Sequence, residues 1–139
     1  MAVERTFAII KPDAVGRGLQ GEILKRIHEA GFKFVALKSL RMSKAEAEGF
    51  YAVHRGKPFF EPLTDFMSSG KAVVLVLEAD NAIARWRDVM GATDPAKAAP
   101  GTLRREFGAS VQNNCTHGSD APDTAAFEIG YFFSGHELL

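Results

Sequence analysis

The sequence predicts an α+β domain of the split βαβ type, with an antiparallel sheet covered by helices. Two observations support this class. Strand-like and helical patterns follow the order strand, helix, strand, helices, strand, helix, loop, strand, helix. The chain has 139 residues, which suits one domain, residues 1–139, with a single core.

The first three elements are predicted from apolar patterns and from turn residues. Residues 6–10 are apolar and β-branched, so they predict a strand that ends in a long loop at Pro12. Residues 21–30 carry their apolar side chains on one stripe and predict a helix that ends at Gly31. A second strand is expected over residues 32–41.

The middle of the chain predicts two helices and a central strand. Ser43 and Glu46 have the spacing of a capping box, which predicts a helix to about residue 53. A short helix is expected over residues 60–67. Residues 72–77, AVVLVL, are apolar throughout, which is typical of a strand buried on both faces.

The last part of the chain contains the longest irregular segment. A helix is predicted over residues 81–90. Residues 91–110 contain two prolines and three glycines and predict a long ordered loop with one helical turn. Loops of this length in compact domains are usually functional or disordered. A short strand over residues 114–117 and a helix over residues 121–131 complete the domain.

Composition excludes several classes of protein. Seventeen Lys and Arg balance seventeen Asp and Glu, so long-range capture of nucleic acid or of an anionic membrane is not expected, although a local cationic pocket is compatible. No apolar run approaches membrane-spanning length, and no export leader is recognised, so we expect a cytoplasmic protein.

A glycine-rich stretch, GRGLQG at residues 16–21, matches the pattern of a dinucleotide-binding loop. In a Rossmann unit the first glycine follows the strand directly, whereas here KPDAV intervenes. The second strand also ends without an acidic residue for a ribose diol. A flexible turn before the first helix is therefore favoured over an oxidoreductase.

The stretch NNCTHGSD, residues 113–120, contains the candidate nucleophile His117. A nucleophilic histidine needs one unprotonated nitrogen and an acceptor that holds the other. Glu128 on the last helix is a candidate acceptor. The alternative for Glu128 is a solvated glutamate on a helix surface, and the alternative for His117 is a turn histidine that bonds a loop carbonyl. Asp120, just before Pro122, is typical of a helix N-cap.

Cys115 lies two residues before His117, so on a strand the two side chains would share a face. A thiol nucleophile paired with the histidine is then conceivable. The alternative is a small, buried, apolar residue, which is the commoner role of a lone cysteine.

Four separated blocks, at residues 4–15 (ERTFAIIKPDAV), 54–60 (HRGKPFF), 87–104 and 113–120, together resemble the nucleoside diphosphate kinase family, in register from about residue 4 to residue 133. The resemblance implies a ferredoxin-like βαββαβ sandwich with a four-stranded antiparallel sheet. It also implies transfer of the γ-phosphoryl group of a nucleoside triphosphate to a nucleoside diphosphate, in a ping-pong reaction through phosphohistidine. His117 matches the nucleophile, Glu128 the carboxylate that orients it, and Ser119 the neighbouring hydroxyl.

The same resemblance implies the nucleotide site. Phe59 matches the aromatic on which the base stacks, and Asn114 matches a residue that bonds the ribose 3′ hydroxyl, which predicts broad base and sugar specificity. Lys11 is expected to face the phosphates and to be catalytic, with His117, Glu128 and Ser119. The full set expected to bind nucleotide is Lys11, Tyr51, His54, Phe59, Arg87, Thr93, Arg104 and Asn114.

Cofactors and assembly also follow from the resemblance. ATP is the expected phosphoryl donor, and Mg²⁺ is held mainly by the nucleotide phosphates, with no protein cage of carboxylates. Family members form tetramers or hexamers built from dimers, so a homo-oligomer is expected. The alternative is a nucleotide-binding scaffold or regulator of the same fold without turnover, for which a nucleophile would be unnecessary.

Overall fold

The centre of the fold is a four-stranded antiparallel sheet with the strand order β2-β3-β1-β4. The structure, a computed structural model, describes residues 3–139. Strands β1 and β3 are central and pair from Val3 opposite Asp80 to Ile10 opposite Val73. The predicted α+β class and its antiparallel sheet are confirmed. The strands are β1 (Val3–Ile10), β2 (Lys33–Arg41), β3 (Lys71–Asp80) and β4 (Thr116–Gly118).

Helices cover both faces of the sheet. None of those in residues 3–139 is long and apolar enough to cross a bilayer. Short 3-10 helices occur at Ala52–His54, Pro95–Lys97 and His136–Leu138. The α-helices are α1 (Pro12–Gly16), α2 (Gln20–Glu29), α3 (Lys44–Phe50), α4 (Phe60–Met67), α5 (Ala82–Met90), α6 (Leu103–Phe107) and α7 (Pro122–Phe132).

Two hydrophobic clusters lie on opposite faces of the sheet, because side chains alternate along each strand. On β1, Ala8 and Ile10 join the cluster that contains Trp86 of α5. Phe7 and Ile9 point the other way and join the cluster beneath α3, α4 and the end of α7. Strand β3 contributes to both clusters, as its continuous apolar run predicts.

The segment after β1 differs from the prediction. Residues 12–16 form the short helix α1 rather than a loop, because Pro12 occupies a first-turn position, where its missing N–H and fixed φ favour a helix. The turn that follows contains Gly18, whose φ of 73° suits glycine. Helix α2 then begins at Gln20, so Gly21 lies inside the helix and not before it.

The segment over residues 91–110 is more regular than predicted. The Asp94 carboxylate accepts a hydrogen bond from the Ala96 N–H and caps the 3-10 helix that follows. The Thr102 hydroxyl accepts from the Arg105 N–H and caps α6. The loop therefore contains two short helices instead of a single turn.

Candidate active site

His117 is the middle residue of β4 and lies opposite Ile9 of β1. Its backbone carbonyl accepts a hydrogen bond from the Trp86 indole at 3.1 Å. The imidazole is on the sheet face covered by α3 and α7, where the ring edges of Phe50 and Tyr51 approach it. The histidine is therefore held by backbone pairing and by aromatic packing.

A carboxylate fixes the orientation of the His117 ring. The Nε2 atom of His117 lies 2.8 Å from Oε1 of Glu128, and the Ser119 hydroxyl donates to the same oxygen at 2.9 Å. The side chains of His117 and Glu128 are 20% and 14% exposed. A neutral ring that donates Nε2–H to the carboxylate keeps its lone pair on Nδ1, where a nucleophile needs it.

A cleft of about 210 Å³ adjoins His117. It brings together eight of the residues that the sequence selected. They come from the position after β1, from the segments after α3 and α5, from α5 and α6, and from the segment around β4. Among them are three cationic side chains, which suits an anionic ligand. The eight are Lys11, Tyr51, His54, Arg87, Thr93, Arg104, Asn114 and His117.

Lys11 is buried at the end of β1, and its ammonium donates to Oδ1 of Asn114 at 2.8 Å. The Asn114 amide in turn donates to the Thr93 carbonyl at 3.0 Å. Burial, and secondarily the Arg104 guanidinium, lower the pKa of Lys11 to about 8. Below that pH the cleft holds a poorly solvated ammonium that an anionic ligand would stabilise.

Arg104 and Arg87 bring two guanidinium groups to the same cleft. Arg104 is buried and donates to the carbonyls of Thr116 at 2.8 Å and of Gly91 at 3.1 Å, while its buried Nε has no hydrogen-bond partner among residues 3–139. Burial lowers the pKa of Arg104. Arg87 is exposed and pairs with Asp120 at 2.8 Å.

The predicted helix cap at Asp120 is wrong. Helix α7 begins at Pro122 with Ala121 as its N-cap residue, and the Ala121 N–H donates to the Thr124 hydroxyl at 3.0 Å. Because that hydroxyl supplies the local acceptor, the Asp120 carboxylate is free to turn into the cleft and pair with Arg87.

The sequence model of the nucleoside diphosphate kinase family matches residues 4–138. The chain belongs to the nucleoside diphosphate kinase family. It is therefore an enzyme, a nucleotide-binding kinase of the transferase class, and the oxidoreductase interpretation of the glycine-rich turn is wrong.

Individual relatives agree over their full lengths. The nucleoside diphosphate kinase of Syntrophotalea carbinolica is 63% identical and that of Desulfotalea psychrophila 64% identical, each over 99% of this chain and 100% of the relative. The solved structure of the Aquifex aeolicus nucleoside diphosphate kinase has a TM-score of 0.96 at 46% identity, over 99% of this chain and 100% of that one. The structure of a halophilic nucleoside diphosphate kinase from Halobacterium salinarum in complex with CDP has a TM-score of 0.95 at 42% identity, over 99% and 92%.

Phe59 lies beside the cleft rather than in the core. It is 47% exposed and lines a second cavity of about 370 Å³ with Leu63, Val111 and Gln112. Leu63 and Val111 also line the first cleft, so the two are continuous. Sequence reasoning missed Val111, which is 57% exposed, because a single apolar residue in a loop belongs to no periodic pattern that would mark it.

Tyr51 and His54 flank the cleft at the end of α3. Tyr51 is buried, and its hydroxyl has no hydrogen-bond partner within the described part of the chain. Burial, with a smaller contribution from the Glu128 charge, raises the pKa of Tyr51, so the phenol stays neutral. Burial and the neighbouring Lys57 lower the pKa of His54, whose ring lies 5.1 Å from that of Phe59.

Cys115 does not share a face with His117, and its favoured interpretation as a small, buried residue is confirmed. Cys115 precedes β4 and has a φ of 67°, which turns its side chain into the core cluster of Trp86, on the opposite side of the sheet. Burial raises the pKa of the Cys115 thiol to about 11. A protonated, buried sulfur on the wrong face cannot assist His117.

Residues 3–139 contain no cluster of three or more His, Cys, Asp or Glu side chains able to hold a metal ion. Among the residues that line the cleft, Asp120 contributes the one described carboxylate, beside three cationic groups. This donor set suits a metal that arrives with phosphate oxygens better than one bound by the protein alone.

Proposed function

We propose that this enzyme transfers the γ-phosphoryl group of a nucleoside triphosphate to a nucleoside diphosphate through a phosphohistidine at His117. The observation that carries the proposal is the Nε2 contact of His117 with Glu128 at 2.8 Å, next to a cleft with three cationic side chains. It leaves Nδ1 as the nucleophilic nitrogen. The reaction is then ping-pong, with one nucleotide leaving before the next is phosphorylated.

In the first half-reaction, Nδ1 attacks the γ-phosphorus, a P–N bond forms and the bond to the β–γ bridging oxygen breaks. The nucleoside diphosphate leaves with the electrons of that bond. The imidazole gains positive charge, which the Glu128 carboxylate stabilises while Nε2 keeps its proton. No proton has to be removed from the nucleophile. The second half-reaction is the reverse, with a different diphosphate as acceptor.

The cationic residues bind and stabilise the phosphates. Charge spreads over the phosphoryl oxygens during transfer, so catalysis depends on positioning and on electrostatic stabilisation. Lys11, Arg87 and Arg104 line the cleft and supply that charge. Thr93, Tyr51 and His54 also line the cleft and complete the phosphate-binding set.

The base and the sugar are recognised without reading base edges. The exposed ring of Phe59 stacks on the base, and Val111, which lines the same cavity, adds an apolar contact. Asn114 bonds the ribose 3′ hydroxyl, which ribonucleotides and deoxyribonucleotides share. Broad specificity follows. The Halobacterium salinarum relative, whose structure is a complex with CDP, supports a nucleoside diphosphate as ligand.

Mg²⁺ enters with the nucleotide. It would be held mainly by phosphate oxygens and water, with the Asp120 carboxylate nearby in the cleft. When bound, the ion neutralises phosphate charge and polarises the transferred group. ATP is the proposed donor.

The proposal extends to assembly and location. A homo-oligomer built from dimers is supported by β2, which is an edge strand of the described sheet and exposes Leu37 on its surface. A cytoplasmic location suits an enzyme that draws on nucleoside triphosphates.

Initial-rate kinetics test the proposed function. With ATP and GDP both varied, formation of GTP should give parallel double-reciprocal lines, because a phosphoenzyme separates the two half-reactions. Intersecting lines would require both nucleotides to bind together and would overturn the phosphohistidine route. Absence of GTP formation by folded enzyme would overturn the activity itself.

A further inference from the structure

Helix α6 carries a cleft residue but is too short to hold its own position. It spans five residues, Leu103–Phe107, within the segment that connects α5 to β4. An isolated helix of this length is unstable in water, because nucleation is unfavourable. The position of Arg104 therefore depends on what α6 packs against.

Arg26 of α2 contacts the side of α6 that faces away from the cleft. The Arg26 guanidinium donates two hydrogen bonds to Glu106, from Nη1 to Oε2 at 2.6 Å and from Nη2 to Oε1 at 2.7 Å. The same guanidinium lies over the Phe107 ring, 5.1 Å from its centroid. Glu22, one turn earlier on α2, accepts from Arg26 Nε at 3.2 Å.

A second arginine contacts the end of the same helix. Arg17, in the turn between α1 and α2, donates from Nη1 to the carbonyl of Phe107 at 2.7 Å. The last carbonyls of a helix have no partner inside it, so a cation there is favourable. Helix α6 is thus held from outside by two arginines, while Arg104 points inward to the carbonyls of Thr116 and Gly91.

The geometry of the Arg26–Glu106 pair indicates a positioning role more than a stabilising one. The side chains are 26% and 37% exposed, and partly exposed ion pairs contribute little to stability. A two-pronged contact between planar groups, by contrast, fixes orientation well. Glu106 is two residues from Arg104 on one helical turn, so a shift of the pair moves Arg104.

We propose that the Arg26–Glu106 pair is a positioning device that holds α6 so that Arg104 meets the nucleotide phosphates. The inference rests on the proposed function, since it assumes that Arg104 binds phosphate. It assigns to two residues outside the cleft a role in nucleotide binding.

Two single variants separate a positioning role of the pair from a long-range electrostatic effect of its charges. Removing a positive charge in Arg26→Gln would weaken binding of ADP, and removing a negative charge in Glu106→Gln would strengthen it, if the pair acted only through its long-range field. Positioning predicts that both variants weaken binding. We expect the Kd of ADP, measured by titration calorimetry, and the KM for nucleotide to rise roughly fivefold or more in each, because small misplacements of a binding group are costly.

The charge swap tests the pair directly. Arg26→Glu combined with Glu106→Arg should bind ADP more tightly than either substitution alone, but less tightly than wild type, because the contacts of Arg26 with Glu22 and Phe107 are lost. In every variant kcat at saturating nucleotide should change less than KM. The matched control is Lys38→Gln, which breaks an exposed pair with Glu137 beside the Phe133 ring. We expect it to leave Kd unchanged.

Several outcomes would overturn the proposal. These are an unchanged Kd in both folded single variants, opposite shifts in the two, or a swap that binds ADP no more tightly than either of its single substitutions. If a glutamine variant does not fold, Arg26→Lys serves instead. It keeps the positive charge but cannot form two parallel hydrogen bonds with Glu106, so positioning predicts that it also weakens ADP binding. Failure of wild type to transfer phosphoryl groups while it still binds ADP would overturn the proposed function instead, because the calorimetric Kd does not depend on turnover.

Discussion

Glu128 accepts two hydrogen bonds at a single oxygen, one from His117 and one from Ser119. Glu128→Gln keeps the shape of the side chain but removes the charge that, in the proposed mechanism, stabilises the imidazole during attack. We expect the rate of phosphoenzyme formation, followed by rapid quench with labelled ATP, to fall by on the order of 10²-fold or more.

Glu61→Gln is the control for Glu128→Gln, because the Glu61 side chain is 69% exposed and pairs with Lys44 on the surface. It should leave the rate unchanged. A Glu128→Gln enzyme as fast as wild type would mean that the carboxylate has no part in orienting or stabilising the histidine.

The lowered pKa of Lys11 predicts a pH dependence of binding. The ammonium is charged below about pH 8 and increasingly neutral above it, so ADP affinity should fall as the pH rises through that value. Calorimetry between pH 7 and pH 10 should also detect proton uptake on binding at the upper end. Lys11→Met should bind more weakly at pH 7 and lack this dependence. A wild-type affinity that stays constant to pH 10 would contradict the prediction.

The same pKa affects stability with a definite sign. The folded-state pKa of Lys11 is about 8, against a usual 10.5, so between these values the unfolded chain binds more protons. The free energy of unfolding should therefore rise with pH across this window. The Lys11→Met protein, measured by urea denaturation, should lack that rise; equal slopes for both proteins would count against a buried, destabilised ammonium.

Loss of base stacking should be measurable at Phe59. Phe59→Ala is expected to weaken nucleotide binding by about 1 to 3 kcal/mol, since base–aromatic stacking contributes that much. Phe127 is a suitable control because it is exposed to a similar degree, 54%, and lies outside the cleft beside His117. If Phe59→Ala and Phe127→Ala bind ADP equally well, stacking on Phe59 is absent.

Single residues differ in how far the sequence could predict them. The resemblance selected His117 and Glu128, and the fold brings their side chains together. Val111 was missed because a single apolar residue in a loop forms no helical or strand pattern that would show what it packs against. The side of the sheet that Cys115 occupies depends on a positive φ, which strand alternation cannot foresee.

Strand β4 tolerates no side chain at Gly118. A Cβ atom there would lie 2.5 Å from Trp86 Cδ1 and 2.6 Å from Met90 Cε, in the packed core beside His117. Gly118→Ala should lower the free energy of unfolding by about 1 to 3 kcal/mol through overpacking. Thermal and urea denaturation would measure it.

Gly130→Ala is the matched substitution on α7, where nothing lies within 4 Å of the added atom. It should raise the free energy of unfolding by about 0.5 to 1 kcal/mol, because alanine suits a helix interior better than glycine. Equal effects of the two substitutions would show that crowding at β4 is unimportant.

Elements with a strong pattern were predicted well. The predicted helix over residues 60–67 and the capping box of Ser43 and Glu46 are confirmed. Helices α1 and α6 were not predicted as separate elements, because five residues are too few to show a helical period and tertiary contacts decide their conformation.

Assembly of several chains would cover the free edge of β2. We expect size-exclusion chromatography with light scattering to give a homo-oligomer, and Leu37→Lys to weaken it by adding charge to the exposed edge strand. A monomeric wild-type protein would contradict the expectation.

The strand arrangement and the charge distribution connect the sequence to the cleft. The order of the elements was enough to predict the antiparallel sheet, because few topologies accommodate such alternation. The net charge of zero does not indicate the cationic cleft, because Lys11, Arg87 and Arg104 are far apart in sequence and come together only in the folded protein.

The proposed phosphorylation of His117 can be tested directly. The enzyme is incubated with γ-labelled ATP and magnesium without an acceptor, beside His117→Ala and, as a control, His28→Ala on the exposed side of α2. Wild type and His28→Ala should carry acid-labile, base-stable label that GDP or dCDP discharges, and His117→Ala should carry none. An unlabelled but folded and nucleotide-binding wild type, or equal label on His117→Ala, would contradict His117 as the phosphoryl carrier.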